Sequence, residues 1–390
     1  MVASERPTRS LYRAVRNHWR IGLRAPSGRS TRWVALAVAL LVASCTAAPQ
    51  SGGRGAVTRP LPQSREGAAR CRALPALVAR IRRGYVPGLS PDILFVPRAP
   101  NYVGTDYMPA HSGPWDYLAR VPLVLFGPGY VRSRGPVGTR ATMADLAPTA
   151  AHLVGFDGLG RRAGRVLHEA LSAPPASPPR LVLTLVWDGG GRNVLARHAR
   201  AWPHLASLEK SGVSYARMTI GSSPSVTPPV HATLGTGVFP RRHGIPGLYV
   251  RSPGEAYVDP LLYLDPSTLR TPTLADLYDR SRNNRPVVGM IASANWHLGM
   301  IGHGASLPGA DRDPVVLVDE NGRTYSNESL YALPQVEGLV RLTHSADDLD
   351  RSDGRADGQW RGHSLDDPTV RFASPAATRY EEILLRRLIQ

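Results

Sequence analysis

The sequence contains one lysine, Lys210, and two cysteines, Cys45 and Cys71, in 390 residues. Two cysteines exclude a disulfide framework and a cysteine-built zinc site. With arginine supplying all but one of 47 basic residues, the charge reads as a coding bias more than a designed patch. No apolar run approaches the ~20 residues that cross a bilayer. The longest, "WVALAVALLVAS" from Trp33 to Ser44, has twelve. The body has no basic run with interleaved aromatics, so nucleic-acid binding is not expected despite the formal charge of +17. No repeat of fixed period occurs. What is present is an apolar share of 42%, enough for a core. Gly and Pro together make 74 residues, below the low-complexity range of about 25–30%. A folded protein with many loops is expected.

The first 32 residues carry eight Arg against one Glu, so part of the positive charge belongs to a leader. A basic stretch followed by twelve apolar or small residues is the pattern of an export signal, whose apolar region runs to about 7–15 residues. The tail "LVASC" resembles a bacterial lipobox, with Cys45 as the lipidated residue. If Cys45 carries lipid, Cys71 stands alone. Three readings stay open: a lipoprotein held to the membrane through Cys45, a secreted protein cleaved near "CTAAP", and an uncleaved N-terminal anchor. All three put the body outside the cytoplasm.

The chain divides into a leader over 1–45, a tether with a short helix over 46–85, a segment over 86–171, a linker "SAPPASPPR" over 172–180, and a segment over 181–390. Strands are expected at Asp92–Arg98, Arg120–Tyr130, Leu181–Trp187, Tyr215–Gly221 and Pro286–Ala294. Helices are expected at Thr142–Gly155, Ala199–Val213 and Thr271–Ser281, the last with Thr271 as cap and Pro272 in the first turn. Alternating strands and helices predict an α/β fold with a mostly parallel central sheet and helices on both faces. In such sheets ligands bind beyond the carboxyl ends of the strands. Asp188 stands there, after the apolar run Leu181–Trp187 and before three glycines. It is a metal-ligand candidate or a turn cap. The stretch "GSSPSVTPPVHATLGTG", Gly221–Gly237, crowds hydroxyls against a helix entrance, where Thr227 is either a cap or a nucleophile.

Together "LVWDGGG", "PHLASLEKSGVSYARM" and "SPSVTPPVHATLGTGVFPRRHGI" resemble the alkaline phosphatase superfamily, closest to its type I phosphodiesterase and nucleotide pyrophosphatase branch. That resemblance implies a phosphoester substrate, two zinc ions, Asp188 as a metal ligand, and Thr227 as both nucleophile and ligand. It makes His243 structural. The sulfatase branch is excluded, since the segment has no Cys or Ser in a C/S-x-P-x-R context. The branch usually has an Asn three residues after the nucleophile; here Val230 stands there and cannot donate to a phosphate oxygen. "HSGPWDYLARVPLVLFGPGYV", His111–Val131, resembles the superfamily's C-terminal metal segment and implies His111 as a ligand. The family's last portion therefore precedes its first, as a circular permutation joined at 172–180 or as a duplicate beside a separate domain. An Asp-x-x-x-His and an Asp-His-Gly that complete the family's site do not follow. His297, His303, Asp311, His344, Asp347, Asp348, Asp357 and His363 are scattered alternatives, and the acidic stretch 344–363 reads as a solvated surface insertion. A truncated or degenerate chain with weak activity is expected. Two functions follow: an impaired extracytoplasmic phosphoester hydrolase, or a non-catalytic surface lipoprotein that keeps the scaffold for binding.

Overall fold

The computed structural model describes residues 65–102, 112–172, 177–252, 255–336 and 341–389. Helices of eight or more residues are α1 (Arg65–Gly84), α2 (Leu146–Leu153), α3 (Pro203–Ser211), α4 (Thr227–Thr236), α5 (Leu274–Ser281), α6 (Leu342–Arg351) and α7 (Pro375–Leu388). Strands are β1 (Val124–Leu125), β2 (Gly135–Thr142), β3 (Val213–Thr219), β4 (Val250–Ser252), β5 (Glu255–Val258), β6 (Met290–Ala292), β7 (Val315–Val318), β8 (Thr324–Tyr325), β9 (Gln359–Trp360) and β10 (His363–Ser364). The fold is mixed α/β, built from small sheets and helices. No helix among the described residues is long and apolar enough to cross a membrane.

The first sheet has the order β1-β3-β2. β2 runs parallel to β3 from Gly135 beside Val213 to Thr142 beside Thr219, with a register shift between Val137 and Arg140. β1 pairs antiparallel on the other side. Strands from both sides of the 172–180 stretch thus share one sheet. Val213, Tyr215 and Met218 have no exposed surface and pack with Leu123, Val137, Ala141 and Leu167.

The second sheet has the order β6-β7-β8, with β6–β7 parallel and β7–β8 antiparallel. Successive side chains of a strand point to opposite faces. Val315 and Leu317 accordingly join Ala232 of α4, Leu298 and Ile301 in one core. Val316 and Val318 join Leu342 of α6 and Tyr380 and Leu384 of α7 in another. A strand covered on both faces reads as an unbroken apolar run, as "VVLV" does.

Several expected elements shift or vanish. The short helix expected within 46–85 runs from Arg65 to Gly84. α5 starts at Leu274 because Thr273 and Asp276 form a reciprocal capping box; Thr271 is not its cap. Leu181–Trp187 and Asp92–Arg98 have no ladder partner among the described residues. Leu181, Leu185 and Trp187 are 61%, 69% and 54% exposed, and Ile93 and Phe95 are 82% and 79% exposed. Apolar runs require neighbouring strands to become buried strands, and here none lies alongside. The acidic stretch is not an insertion loop throughout. Its first half is α6, whose Leu342 and Ala346 are buried while Asp347 and Asp348 face solvent.

Candidate active site

α4 positions the central hydroxyl. Its N-cap is Val226, and Thr227 is its first helical residue. The Thr227 hydroxyl makes no capping bond; Oγ1 donates instead to Asp188 Oδ2 at 2.9 Å. Thr227 is 8% exposed, whereas Asp188 is exposed. Asp188 reaches across because the chain turns sharply after it. Gly190 N donates to Trp187 O at 3.1 Å and Gly191 N to Gly189 O at 2.8 Å, with Gly189 in the left-handed region at φ 68°. A side chain there would strain the backbone. Asp188, Gly190, Thr227, Val230 and His231 line one cleft together with Tyr117 and Leu118.

The helix entrance is weaker as an anion site than its position suggests. A helix start offers free N–H donors and the positive end of its dipole. Pro228 and Pro229 remove two of those donors, and Val230 N is already bonded to Val226 O. The dipole remains, with Thr227 N–H the other non-proline donor of the first turn. Val230 adds an apolar side chain, 7% exposed, where the resembling branch has an amide.

Below Thr227 lie two imidazoles. His231 is one helical turn on, so it shares the Thr227 face. His297 arrives from the turn Asn295–Met300. His231 Nδ1 and His297 Nδ1 are 2.9 Å apart, and the residues are 4% and 9% exposed. Burial pushes both below the ordinary imidazole range, for His231 with the neighbouring His297 adding to it; the Asp188 charge opposes this in both. Two neutral rings sharing one Nδ1···Nδ1 bond must be opposite tautomers, one donating and one accepting. The contact depends on close backbone approach. A Cβ on Gly235 of α4 would collide with the Gly299 carbonyl, and one on Gly299 would lie 2.7 Å from Ala232 Cα.

His243 and His303 lie apart from the cleft lining. Ile245 N donates to His243 Nδ1 at 3.2 Å, so the proton sits on Nε2, 3.1 Å from Thr233 Oγ1, which in turn donates to Pro229 O at 2.7 Å. His243 thus braces the first turns of α4 and is structural. His303 Nδ1 meets Asp276 Oδ2 at 2.8 Å and Nε2 meets Leu269 O at 2.7 Å. Both partners are acceptors, so His303 is held as a cation in a buried pair.

Of the sequence-derived site residues, the structure brings Asp188 and Thr227 together. His111 and Cys45 lie outside the described residues. Gly113 N donates to Ser225 Oγ at 3.0 Å, which sets the chain following His111 beside the segment leading to Thr227. His297 is one of the scattered alternatives in the sequence, and His231 lies in the helix-entrance motif Gly221–Gly237; the structure sets the two side by side. The four-residue spacing from Thr227 carries a signal for His231; the placing of His297 beside it follows from the packing of the Asn295–Met300 turn on α4.

Residues 182–297 match the family model of type I phosphodiesterase / nucleotide pyrophosphatase. No curated protein matches the chain, and no solved structure does. The matched span contains Asp188, Thr227, His231, His243 and His297.

Proposed function

We propose that the chain is an extracytoplasmic, metal-dependent phosphoester hydrolase in which Thr227 is the nucleophile. The observation that carries this reading is the Thr227–Asp188 hydrogen bond at the start of α4, inside the family-matched span. A hydroxyl whose proton already points at a carboxylate is placed to lose it. In the proposed reaction a bond forms between Thr227 Oγ1 and phosphorus as the bond to the leaving oxygen breaks. Water then displaces Thr227, releasing phosphate or its monoester and restoring the hydroxyl. Asp188 holds the Thr227 proton, and the α4 dipole with Thr227 N–H faces the phosphoryl oxygens.

The donor types suit a divalent ion, but Asp188, His231 and His297 do not bring three ligand atoms within 4.8 Å of one another. The oxygens of Asp188 and Thr227, with imidazole nitrogens of His231 and His297 alongside, are the classes that zinc accepts. When bound, such an ion would lower the pKa of the hydroxyl it touches and offset phosphoryl charge. Two zinc ions, with His111 among the ligands, are the reading the family resemblance supports. The described donors of the cleft do not converge into a three-ligand site, and Val230 and two prolines thin the phosphate contacts, so we expect slow turnover. Those same departures favour the second reading, a scaffold kept for binding at the envelope. Lipid attachment at Cys45 and a circular permutation joined at 172–180 belong to the proposal too. The β2–β3 ladder supports the permutation over a separate duplicate.

The test is hydrolysis of a nitrophenyl phosphodiester and a monoester with added zinc, by the full chain and by Thr227→Ala. Loss of at least a hundredfold in kcat is expected for the variant, a size typical of removing an activated nucleophile. Equal turnover by both proteins removes Thr227 from the mechanism. No turnover by either, with zinc bound, favours the scaffold.

A further inference from the structure

Away from the cleft, three carboxylates converge where the end of α5 meets the loop leading into β7. Asp279, Asp311 and Asp313 each present a ligand oxygen within 4.8 Å of the other two. Among the described residues this is the one place where three metal-ligating side chains come so close. Proximity of acidic groups alone means little, since exposed ones are solvated. Asp279 differs: it is 2% exposed, and its Oδ1 is buried with no hydrogen-bond partner. Asp313 is 8% exposed. No arginine, lysine or histidine among the described residues forms an ion pair with any of the three. The polar neighbour of Asp279 is Asp311, another carboxyl group, so the buried cluster has no basic counter-charge and its members oppose ionising together.

Backbone contacts hold the two segments of this corner together. Asn284 N donates to Asp279 O at 3.0 Å, and Asn284 Nδ2 donates to Gly309 O at 3.1 Å. Ala332 N donates to Asp313 O at 3.0 Å, and Met290 N to Pro314 O at 2.9 Å. Asn284 Oδ1, on the residue that ties these two segments, is a second buried oxygen with no donor. Burial first, then the other carboxylates, pushes Asp279 up to about 6 and Asp313 to about 7.

We infer that Asp279, Asp311 and Asp313 form a site for a hard divalent cation, with Ca2+ the best fit, that pins the end of α5 to the loop entering β7. An all-oxygen donor set with several carboxylates selects Ca2+ or Mg2+ over zinc. Ca2+ accepts an irregular cage completed by carbonyl oxygens and water, whereas Mg2+ demands near-octahedral geometry. None of the three residues lines the Asp188–Thr227 cleft, so the inference stands or falls apart from the proposed hydrolysis.

Calorimetric titration of the full chain with Ca2+ tests it, alongside Asp311→Asn, Asp279→Asn and Asp188→Asn. Asp311 is exposed, so its variant is expected to fold normally. The site predicts one Ca2+ per chain for the wild type and for Asp188→Asn, and at least tenfold weaker binding in Asp311→Asn and Asp279→Asn. At a hundredfold excess of Ca2+ over Kd, the wild-type thermal midpoint rises by about 5 °C, and that of Asp311→Asn does not. Absence of Ca2+ binding by the wild type, or unchanged binding by Asp311→Asn, overturns the inference. So does loss of binding in Asp188→Asn, which would assign the ion to the cleft.

Discussion

His243 has no exposed surface and both ring nitrogens engaged, and burial lowers its pKa from 6.5 to about 3. The unfolded chain therefore takes up this proton first. Its contribution to stability is complete above pH 6.5 and is lost as pH falls toward about 3, at up to ~1.4 kcal/mol per pH unit. His303 has the opposite sign. Burial lowers it, but the hydrogen bond and charge of Asp276, with the Leu269 carbonyl, outweigh that and raise it. Its contribution is complete below pH 6.5 and is lost as pH rises through the raised folded value. The two together favour a stability maximum near pH 6.5. Urea unfolding of the wild type, His243→Asn and His303→Gln across that pH checks this. His243→Asn is expected to flatten the acid limb, and His303→Gln the limb above pH 6.5. A wild-type curve that His243→Asn leaves parallel on the acid side would show that His243 is not held neutral. Thr227 and Asp188 were legible from residue type, order and family resemblance. The roles of His243 and His303 were legible only in part, because a histidine's state is set by what its two nitrogens meet.

α4 is the element on which the cleft depends, and all ten of its residues are buried. Its sequence explains its ends: prolines suit the first turn, and Gly237 closes it in the left-handed region at φ 69°. Its flank explains the His231–His297 contact, since Gly235 and Ala232 let the Asn295–Met300 turn lie against the helix. Adding one methyl at Gly235 forces backbone apart, an overpacking that costs about 1–3 kcal/mol or more. Gly235→Ala is therefore expected to lower the thermal midpoint and to separate His231 from His297, read as altered imidazole resonances by NMR. Gly309→Ala is the control: its Cβ meets nothing within 4 Å, though its φ of 78° carries backbone strain of its own. Unchanged imidazole resonances in Gly235→Ala would remove the close approach. At this scale the sequence reads unevenly. Helices with caps and glycine stops emerged near their places. Met290–Ala292 and Val124–Leu125 lie inside the expected strands Pro286–Ala294 and Arg120–Tyr130 but are only two or three residues long, because their extent is set by partners distant in the chain. Leu181–Trp187 shows the converse: an apolar run predicts a strand only where another strand lies beside it.

Over the whole molecule, the most consequential feature is that β3 has partners on both sides from the other half of the chain. β1 and β2 belong to residues before the 172–180 stretch, β3 to residues after it. Without them, Val213, Tyr215 and Met218 would face water. Each such side chain is worth about 1.5–3 kcal/mol when fully buried. The link is reinforced beside the sheet: Arg192 N donates to Arg120 O at 3.1 Å, Ile220 N to Ala119 O at 2.9 Å, and Ala163 N to Gly237 O at 3.0 Å. The order of the two halves was legible from their motifs, but a permuted single fold and two attached domains give the same motifs. The β2–β3 ladder puts strands of both halves in one sheet, and a covalent cut tests whether they form one folded unit. A protease site placed between Ser172 and Ser177 leaves every one of these contacts intact. The nicked halves are expected to travel as one species in gel filtration and to part only in urea, at a midpoint dependent on protein concentration. Halves that separate in native buffer, with the second still folded by circular dichroism, would make the shared sheet wrong and restore the two-domain reading. Halves that stay together would account for Asp188 and Thr227 lining one cleft together with Tyr117 and Leu118, since each half supplies part of the lining.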